Sequence, residues 1–406
     1  MIRRVALGLL VFASAARADR FTWEGEIEIH AQGLHDSDKT KREEAIRKLA
    51  LDDIRLSEPY LMQALTDAEP DVRREAAKAL GLGGSRAAVP VMIDWLADAD
   101  PMTRAAAVEA LGDIGGTDAT AALTRSLGDT DPIVRQKAVL ALGKIGQHGG
   151  SVVIALIPRL EDEKSDVRRE TVEQLAQLGD KRAVIPLVSR FNDTSHEVQR
   201  AAIAAVGELR DPAAVPALVR LMSDTDESVR MRAVEALGQI GSPDAIDALI
   251  EQLGTGTSGD TFHTKIAYAL GQIAAATGAG KAGEDAMRVL VEALALNTTR
   301  VAAREALAVA GPVAIPALVD SLAGKLKGNP EIAVELLGKH ADARATAVLA
   351  AELERGRVAV PAVLVALGET HEPDALVPVL GQVASRDPAI RLAAMQALRP
   401  LLGSDV

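Results

Sequence analysis

Residues 129–146 read Asp-Thr-Asp-Pro-Ile-Val-Arg-Gln-Lys-Ala-Val-Leu-Ala-Leu-Gly-Lys-Ile-Gly. Asp129 belongs to a series: Asp67, Asp98, Asp129, Asp162, Asp193 and Asp224 follow one another at intervals of 31, 31, 33, 31 and 31 residues. The same register carries Val72-Arg73, Thr103-Arg104, Val134-Arg135, Val167-Arg168 and Val229-Arg230, and then Leu80-Gly81, Leu111-Gly112, Leu142-Gly143 and Leu237-Gly238. A period of this size means stacked supersecondary units rather than a closed globule, so the fold is predicted to be all-α and the chain one continuous array.

Residues 67–98 serve as the type unit. Asp67 and Glu69-Pro70 open it, with proline in the first turn, where its missing N–H costs nothing. Val72, Ala76, Ala77 and Leu80 fall at helical spacing and form the buried face, while Arg73, Arg74 and Lys78 are expected to point outward. Gly81 and Gly83-Gly84 are read as stopping this helix, and a second helix is expected from Val89-Pro90 through Met92, Ile93 and Leu96. Hydrophobic residues make up 48% of the chain and aromatics only 2%, so the core must be built from Ala, Leu, Val and Ile.

Val134 to Gly146 resembles the consensus of the HEAT-like repeat family, in particular the short-unit class first described in phycobilisome lyases. The resemblance covers residues 36–402, strongly to 253. It implies a right-handed α-solenoid superhelix of stacked helix-turn-helix HEAT-like repeats, about 11 to 12 helical pairs counted by their starts. In such proteins the recurring Asp and Arg resemble an inter-repeat ladder, each Asp capping a helix and each Arg reaching a neighbour's Asp or carbonyls. Gln199 takes one Arg position, which predicts a weaker rung.

The ends and irregularities divide the chain. Residues 1–18 read as an export signal: Arg3 and Arg4, an apolar run from Val5 to Ala13, and a small-x-small site at Ala16-Arg17-Ala18. Cleavage near Ala18 predicts a periplasmic or secreted protein with no stable membrane insertion, because the run is well short of the ~20 residues that span a bilayer. Residues 19–35 are a capping segment: Glu26 to Leu34 looks like an unpaired second helix, with Phe21 and Trp23 over its apolar end. Regular repeats fill 36–253. The unit 254–296 is enlarged by Gly/Thr-rich loops and reads as an interruption of the superhelix, a hinge or a contact loop; 297–406 hold divergent repeats and a C-terminal cap, broken at Arg399-Pro400.

Chemistry-bearing patterns are sparse. A net charge of −12 argues against general nucleic-acid binding, which requires a cationic footprint, and no nucleic-acid partner is expected. Deoxyhypusine hydroxylase is a HEAT-like enzyme that presents His-Glu motifs to two irons. This chain has His196-Glu197 and His371-Glu372, but the positions corresponding to that motif read Arg74-Glu75, Ala105-Ala106, Gln136-Lys137, Arg169-Glu170 and Met231-Arg232. No metal, cofactor or catalytic residue is therefore expected, and a di-iron hydroxylase or a bilin lyase stands as the enzymatic alternative. The glycines after the repeated Leu are read as helix terminators needing no phosphate.

The second helices, which in HEAT-like solenoids resemble the concave wall, carry a further pattern. Their outward position holds Arg125, Arg159, Arg190 and Arg220 in four successive units, then Glu251, Glu292 and Asp320. One reading is an ordinary solvated face. The other is a groove for an elongated protein partner whose charge reverses along its length, with Trp95 as an anchor. The predicted function is that of an exported noncatalytic scaffold or adaptor.

Overall fold

The computed structural model describes residues 25–146, 151–254, 260–278, 280–340 and 342–403. Among them there is no strand, and the fold is an all-α solenoid of helical hairpins. The chain forms two compact units, residues 1–186 with 193–201, and residues 187–192 with 202–406. In the first unit a helix covering 25–32 precedes α1 (Lys39–Leu49), α2 (Ile54–Ala64), α3 (Pro70–Leu82), α4 (Val89–Trp95), α5 (Pro101–Ile114), α6 (Thr117–Ser126), α7 (Pro132–Gly146), α8 (Ser151–Leu156) and α9 (Ser165–Leu178). Helices α10 (Val184–Val188) and α11 (His196–Leu209) contribute residues to both units. The second unit continues with α12 (Val215–Leu221), α13 (Glu227–Ile240), α14 (Ile246–Gly254), α15 (Asp260–Thr277), α16 (Lys281–Ala293) and α17 (Arg300–Ala310). It ends with α18 (Ile315–Leu322), α19 (Pro330–Gly338), α20 (Ala343–Arg355), α21 (Val360–Glu369), α22 (Leu376–Leu380) and α23 (Pro388–Leu402).

Odd-numbered helices are the first, and even-numbered the second, of each hairpin. Val72, Ala76, Ala77 and Leu80 are all fully buried, as the type unit predicts, and the second helix starts at Val89 with Pro90 in its first turn. A helix covers 25–32, overlapping the stretch Glu26 to Leu34 read as helical, whereas Phe21 and Trp23, with the rest of 1–24, lie outside the described residues. Pro400 does not break the last repeat: α23 runs through it to Leu402. Residues 300–322 are long and apolar enough to span a membrane by composition, but Gly311, at φ +61°, separates them into α17 and α18 of one hairpin.

The repeated glycine has a role different from the one its position suggested. Gly81, Gly112, Gly143 and Gly238 lie inside their helices, which end at Leu82, Ile114, Gly146 and Ile240; the residues that follow those ends in α3, α5 and α13 are Gly83, Gly115 and Gly241. A helix-interior glycine costs about 1 kcal/mol relative to alanine, so its recurrence here needs a packing reason. That reason is contact with the next first helix. A Cβ on Gly81 would stand 2.9 Å from Ala110 Cα, and one on Gly112 only 2.6 Å from Ala141 Cβ. In the second unit Gly207 meets Ala236, Gly238 meets Ala269, and Gly368 meets Ala397 in the same way.

These contacts make a seam. A triplet offers its Gly to the following repeat and its Ala, as at Ala110, Ala141 and Ala236, to the preceding one, while the central Leu (Leu80, Leu111, Leu142, Leu237) is fully buried; Gly143 instead meets the Gln174 side chain of α9. Two backbones can then approach with no side chain between them, the condition for close-packed small-residue cores. The enlarged repeat keeps this seam, since Gly238 lies on Ala269 of α15 and Gly271 on Ala306 of α17. The interruption expected at 254–296 therefore does not reach the first-helix stack; residues 255–259 of its first loop lie outside the described residues.

Gly112→Val is expected to lower the unfolding free energy by about 1–3 kcal/mol through overpacking, read from the urea midpoint. Gly128→Ala, whose added Cβ would come no nearer than 3.5 Å to Arg125 O, should change it by less than about 0.5 kcal/mol. Equal stability of the two variants would remove the seam as the basis of stacking.

Candidate interaction surface

The Asp and Arg columns bond successive inter-repeat loops of the first unit to one another. Each Asp sits in the loop between repeats and bonds the amide two residues on: Asp67 to Glu69 N at 2.9 Å, Asp129 to Asp131 N at 2.8 Å, Asp162 to Lys164 N at 3.1 Å. These are Asx turns rather than helix caps. The caps are separate residues two positions later, such as Asp100 on Met102 N and Thr103 N, and Asp131 on Ile133 N. The expectation that the columnar Asp caps the helix is corrected accordingly: it shapes the turn, and where a cap bond is made, as by Asp100, Asp131 and Asp226, a second carboxylate makes it.

Arg42, Arg104, Arg135 and Arg168 each close two gaps at once. Arg104 Nη1 donates to Asp98 O at 2.9 Å and Ala99 O at 3.2 Å of its own loop, while Nε and Nη2 form a bidentate pair with Asp129 of the next repeat, both at 2.8 Å. Arg42 with Asp67, Arg135 with Asp162 and Arg168 with Asp193 repeat this geometry. The planar guanidinium fork matches a carboxylate on one edge and backbone carbonyls on the other. Arg73 bonds the Asp67 and Ala68 carbonyls, so it is tucked into the loop rather than pointing outward. The most enclosed rung is Arg135–Asp162, with side chains 7% and 2% exposed. Burial works to raise the Asp162 carboxyl, but Arg135, the Lys164 amide and Arg159 outweigh it and hold the group below the ordinary carboxylate range.

The second unit departs from the ladder. Arg230 keeps its carbonyl bonds to Asp224 and Thr225 at 2.8 and 3.1 Å, and its guanidinium carbon lies 5.8 Å from the Phe262 ring centroid. His263 takes the Arg position of α15 and is buried, with Nε2 unpartnered among the described residues. At Gln199 an amide replaces the guanidinium and lies 3.5 Å from His196 Nδ1. His196 is the first residue of α11, and His371 lies between helices with φ +56°. Among the described residues no three His, Asp or Glu side chains are grouped to hold a metal.

The outward column of the second helices proves heterogeneous. In the first unit, Arg125 is exposed and its guanidinium makes no hydrogen bond or ion pair among the described residues. It borders an open cleft of about 300 Å³ whose apolar lining is Ile93, Leu96, Ala97 and Ala122, at the ends of α4 and α6. Trp95, on α4, is partly exposed and does not line that cleft. Arg159 is engaged: Nη1 donates to Leu127 O at 3.1 Å, across one repeat, and lies 3.5 Å from Asp162 Oδ2. In the second unit, Arg220, Glu251 and Glu292 are exposed, Arg190 lies 3.3 Å from Ser189 Oγ, and Asp320 is paired with Lys325 at 2.9 Å.

Sequence reasoning missed what Arg159 does, and the same device recurs at Arg355, whose Nη1 donates to Leu322 O at 3.0 Å. In both cases a cation at the end of one second helix meets a carbonyl at the end of the preceding one, where the helix dipole is negative. Both bonds span about one repeat, Arg159 to Leu127 and Arg355 to Leu322, and no sequence signal separates Arg159 from Arg125 in the equivalent place.

A family model described as HEAT repeats matches residues 27–100, 89–155, 127–198 and 186–271. No curated protein sequence matches. Among solved structures, an engineered protein is 21% identical over 93% of this chain and 99% of its own, with a TM-score of 0.43. YibA of Escherichia coli is 18% identical over 68% of this chain and 98% of its own, with a TM-score of 0.44. Kap121p is 16% identical with a TM-score of 0.52; the match takes in 94% of this chain but only 46% of Kap121p. At these identities the likeness concerns the fold alone.

Asp162→Asn should destabilise the protein by about 3–5 kcal/mol at pH 7, since it leaves Arg135 enclosed without its counter-charge. The folded carboxyl titrates below its unfolded value of 3.8, so its contribution is complete above that pH and is lost as pH falls through the folded value. Urea unfolding at pH 7 and pH 3 should therefore show the gap between wild type and variant narrowing in acid; a gap of equal size at both would mean that the charge is not what stabilises the rung.

Proposed function

The chain belongs to the HEAT-repeat family, and from that premise we propose that it is an exported, noncatalytic scaffold or adaptor holding a protein partner on the face of its second helices. The observation that carries this reading is Arg125: an exposed cation without a partner among the described residues, beside an open apolar cleft lined by Ile93, Leu96 and Ala97. A charge free to pair next to apolar surface is how interface residues are arranged, the apolar groups supplying affinity and the charge selecting the partner. Arg220, Glu251 and Glu292 are further exposed charges of the same column, basic before acidic, and suit a partner whose own charge reverses along its length. Trp95 is the candidate aromatic anchor. Arg159 is withdrawn to a positioning role because it bonds the Leu127 carbonyl, and Asp320 and Arg190 already have contacts of their own.

Export rests on Arg3 and Arg4, the apolar run Val5 to Ala13 and the small-x-small site ending at Ala18. The enzymatic alternative, a bilin lyase or di-iron hydroxylase, has no particular residue in its favour, since His196 and His371 are placed without ligand geometry.

Crosslinking capture from the native envelope provides the test. Arg125→Glu combined with Arg220→Glu should reduce recovery of the captured protein at least about tenfold, equivalent to 1.4 kcal/mol, with helicity and melting unchanged. Arg159→Glu should instead lower the melting temperature. Undiminished capture by the double variant would end the proposal, and mass spectrometry of the exported chain should find Asp19 at its start.

A further inference from the structure

In the second unit the seam of first helices fails at one junction. The triplet of α17 is Ala306-Leu307-Ala308 and that of α19 is Leu336-Leu337-Gly338. The position that offers Gly to the next repeat therefore holds Ala308, and the position that should receive it holds Leu336. At the regular junctions of this unit even a single added methyl would come within 2.6–3.1 Å of the facing helix, as at Gly271 on the Ala306 carbonyl and Gly238 on Ala269 Cα. Two larger side chains at one junction exclude that approach.

The packing follows from this. Ala308 is exposed, whereas Gly207, Gly238, Gly271, Gly338 and Gly368, its counterparts in the unit, are buried. Helices α17 and α19 hardly touch, in contrast to α15 with α17 and α21 with α23. Val301 and Val309 on α17 stand 66% and 43% exposed. Helix α19 is also short, 9 residues against 14 in α13, and the linker before it, 323–329, contains Gly324 at φ +85°.

What still joins the two sides is asymmetric. On the second-helix side, Arg355 and Arg357 both donate to the Leu322 carbonyl, and Arg357 pairs with the fully buried Glu352. On the first-helix side the bridge is one partly exposed pair, Arg304 with Glu335, to which Lys339 adds a contact at 2.8 Å. Long flexible side chains can keep such a pair through a change of angle that backbone-to-methyl packing could not survive.

We infer that the second unit is hinged between α17 and α19: α19–α23 swing as a block against α12–α18, pivoting on the Leu322 carbonyl contacts and opening or closing on the first-helix side. Closure covers Val301, which shares the Ala308 face of α17, so apolar burial favours it, while the bulk of Ala308 and Leu336 opposes full contact. The motion is concentrated at one junction rather than spread over the stack. The inference does not depend on the identity of any partner.

The chain has no cysteine, so introduced pairs are the only labelling sites. Nitroxides at Glu305→Cys and Glu331→Cys span the open junction and leave the Arg304–Glu335–Lys339 bridge intact; Arg232→Cys and Tyr268→Cys span the closed one between α13 and α15. Pulsed dipolar spectroscopy should give a distance distribution at least twice as broad for the first pair as for the second, and Arg304→Ala should broaden the first further. A first-pair distribution as narrow as the control, or one that Arg304→Ala leaves unmoved, overturns the hinge.

Discussion

Everything regular in this protein depends on the closeness with which successive first helices approach. A glycine of one helix lies against the alanine of the next, near enough that a single added methyl at Gly112 would stand 2.6 Å from Ala141 Cβ. That constraint explains the composition. With only 2% aromatic residues the core has no large rings to fill wide spaces, so the helices must come together on small ones. It also explains why glycines persist in the last turns of helices, where propensity alone would disfavour them.

The electrostatic ladder is secondary to this packing, yet it acts on a different degree of freedom. The seam sets how near two repeats stand; at four rungs of the first unit the Arg fork ties an inter-repeat loop to the following one, as Arg104 does with the Asp98 carbonyl and the Asp129 carboxylate. A buried carbonyl or carboxylate without such a partner would be costly. The two devices also separate along the chain: the second unit keeps the Gly-on-Ala seam through α15 while Gln199 and His263 replace the guanidinium of the ladder. At α17 and α19 the seam is lost and an exposed ion pair remains as the bridge.

Regular polar residues turned out to be engaged ones. The Asp and Arg columns, the most conspicuous periodic feature, are consumed in loop shaping and inter-repeat pairing. Within the outward column of the second helices the distinction was not readable from spacing, because Arg125 and Arg159 occupy equivalent places. Only three-dimensional placement separates a cation beside an open cleft from one bonded to the Leu127 carbonyl.

Periodicity by itself determined the all-α stack, the helix starts at prolines such as Pro70 and Pro132, and the buried face of Val72, Ala76, Ala77 and Leu80, because these follow from local spacing and from burial of one helix face. The family resemblance, not periodicity, implied that each Arg would reach a neighbouring repeat, which Arg104 does and Arg73 does not. Tertiary structure alone decided what the glycines are for, which carboxylate caps and which turns, and which arginines remain unpaired. Those outcomes depend on what lies across the gap between helices about one repeat apart, and a residue's own neighbourhood in sequence carries no record of that distance.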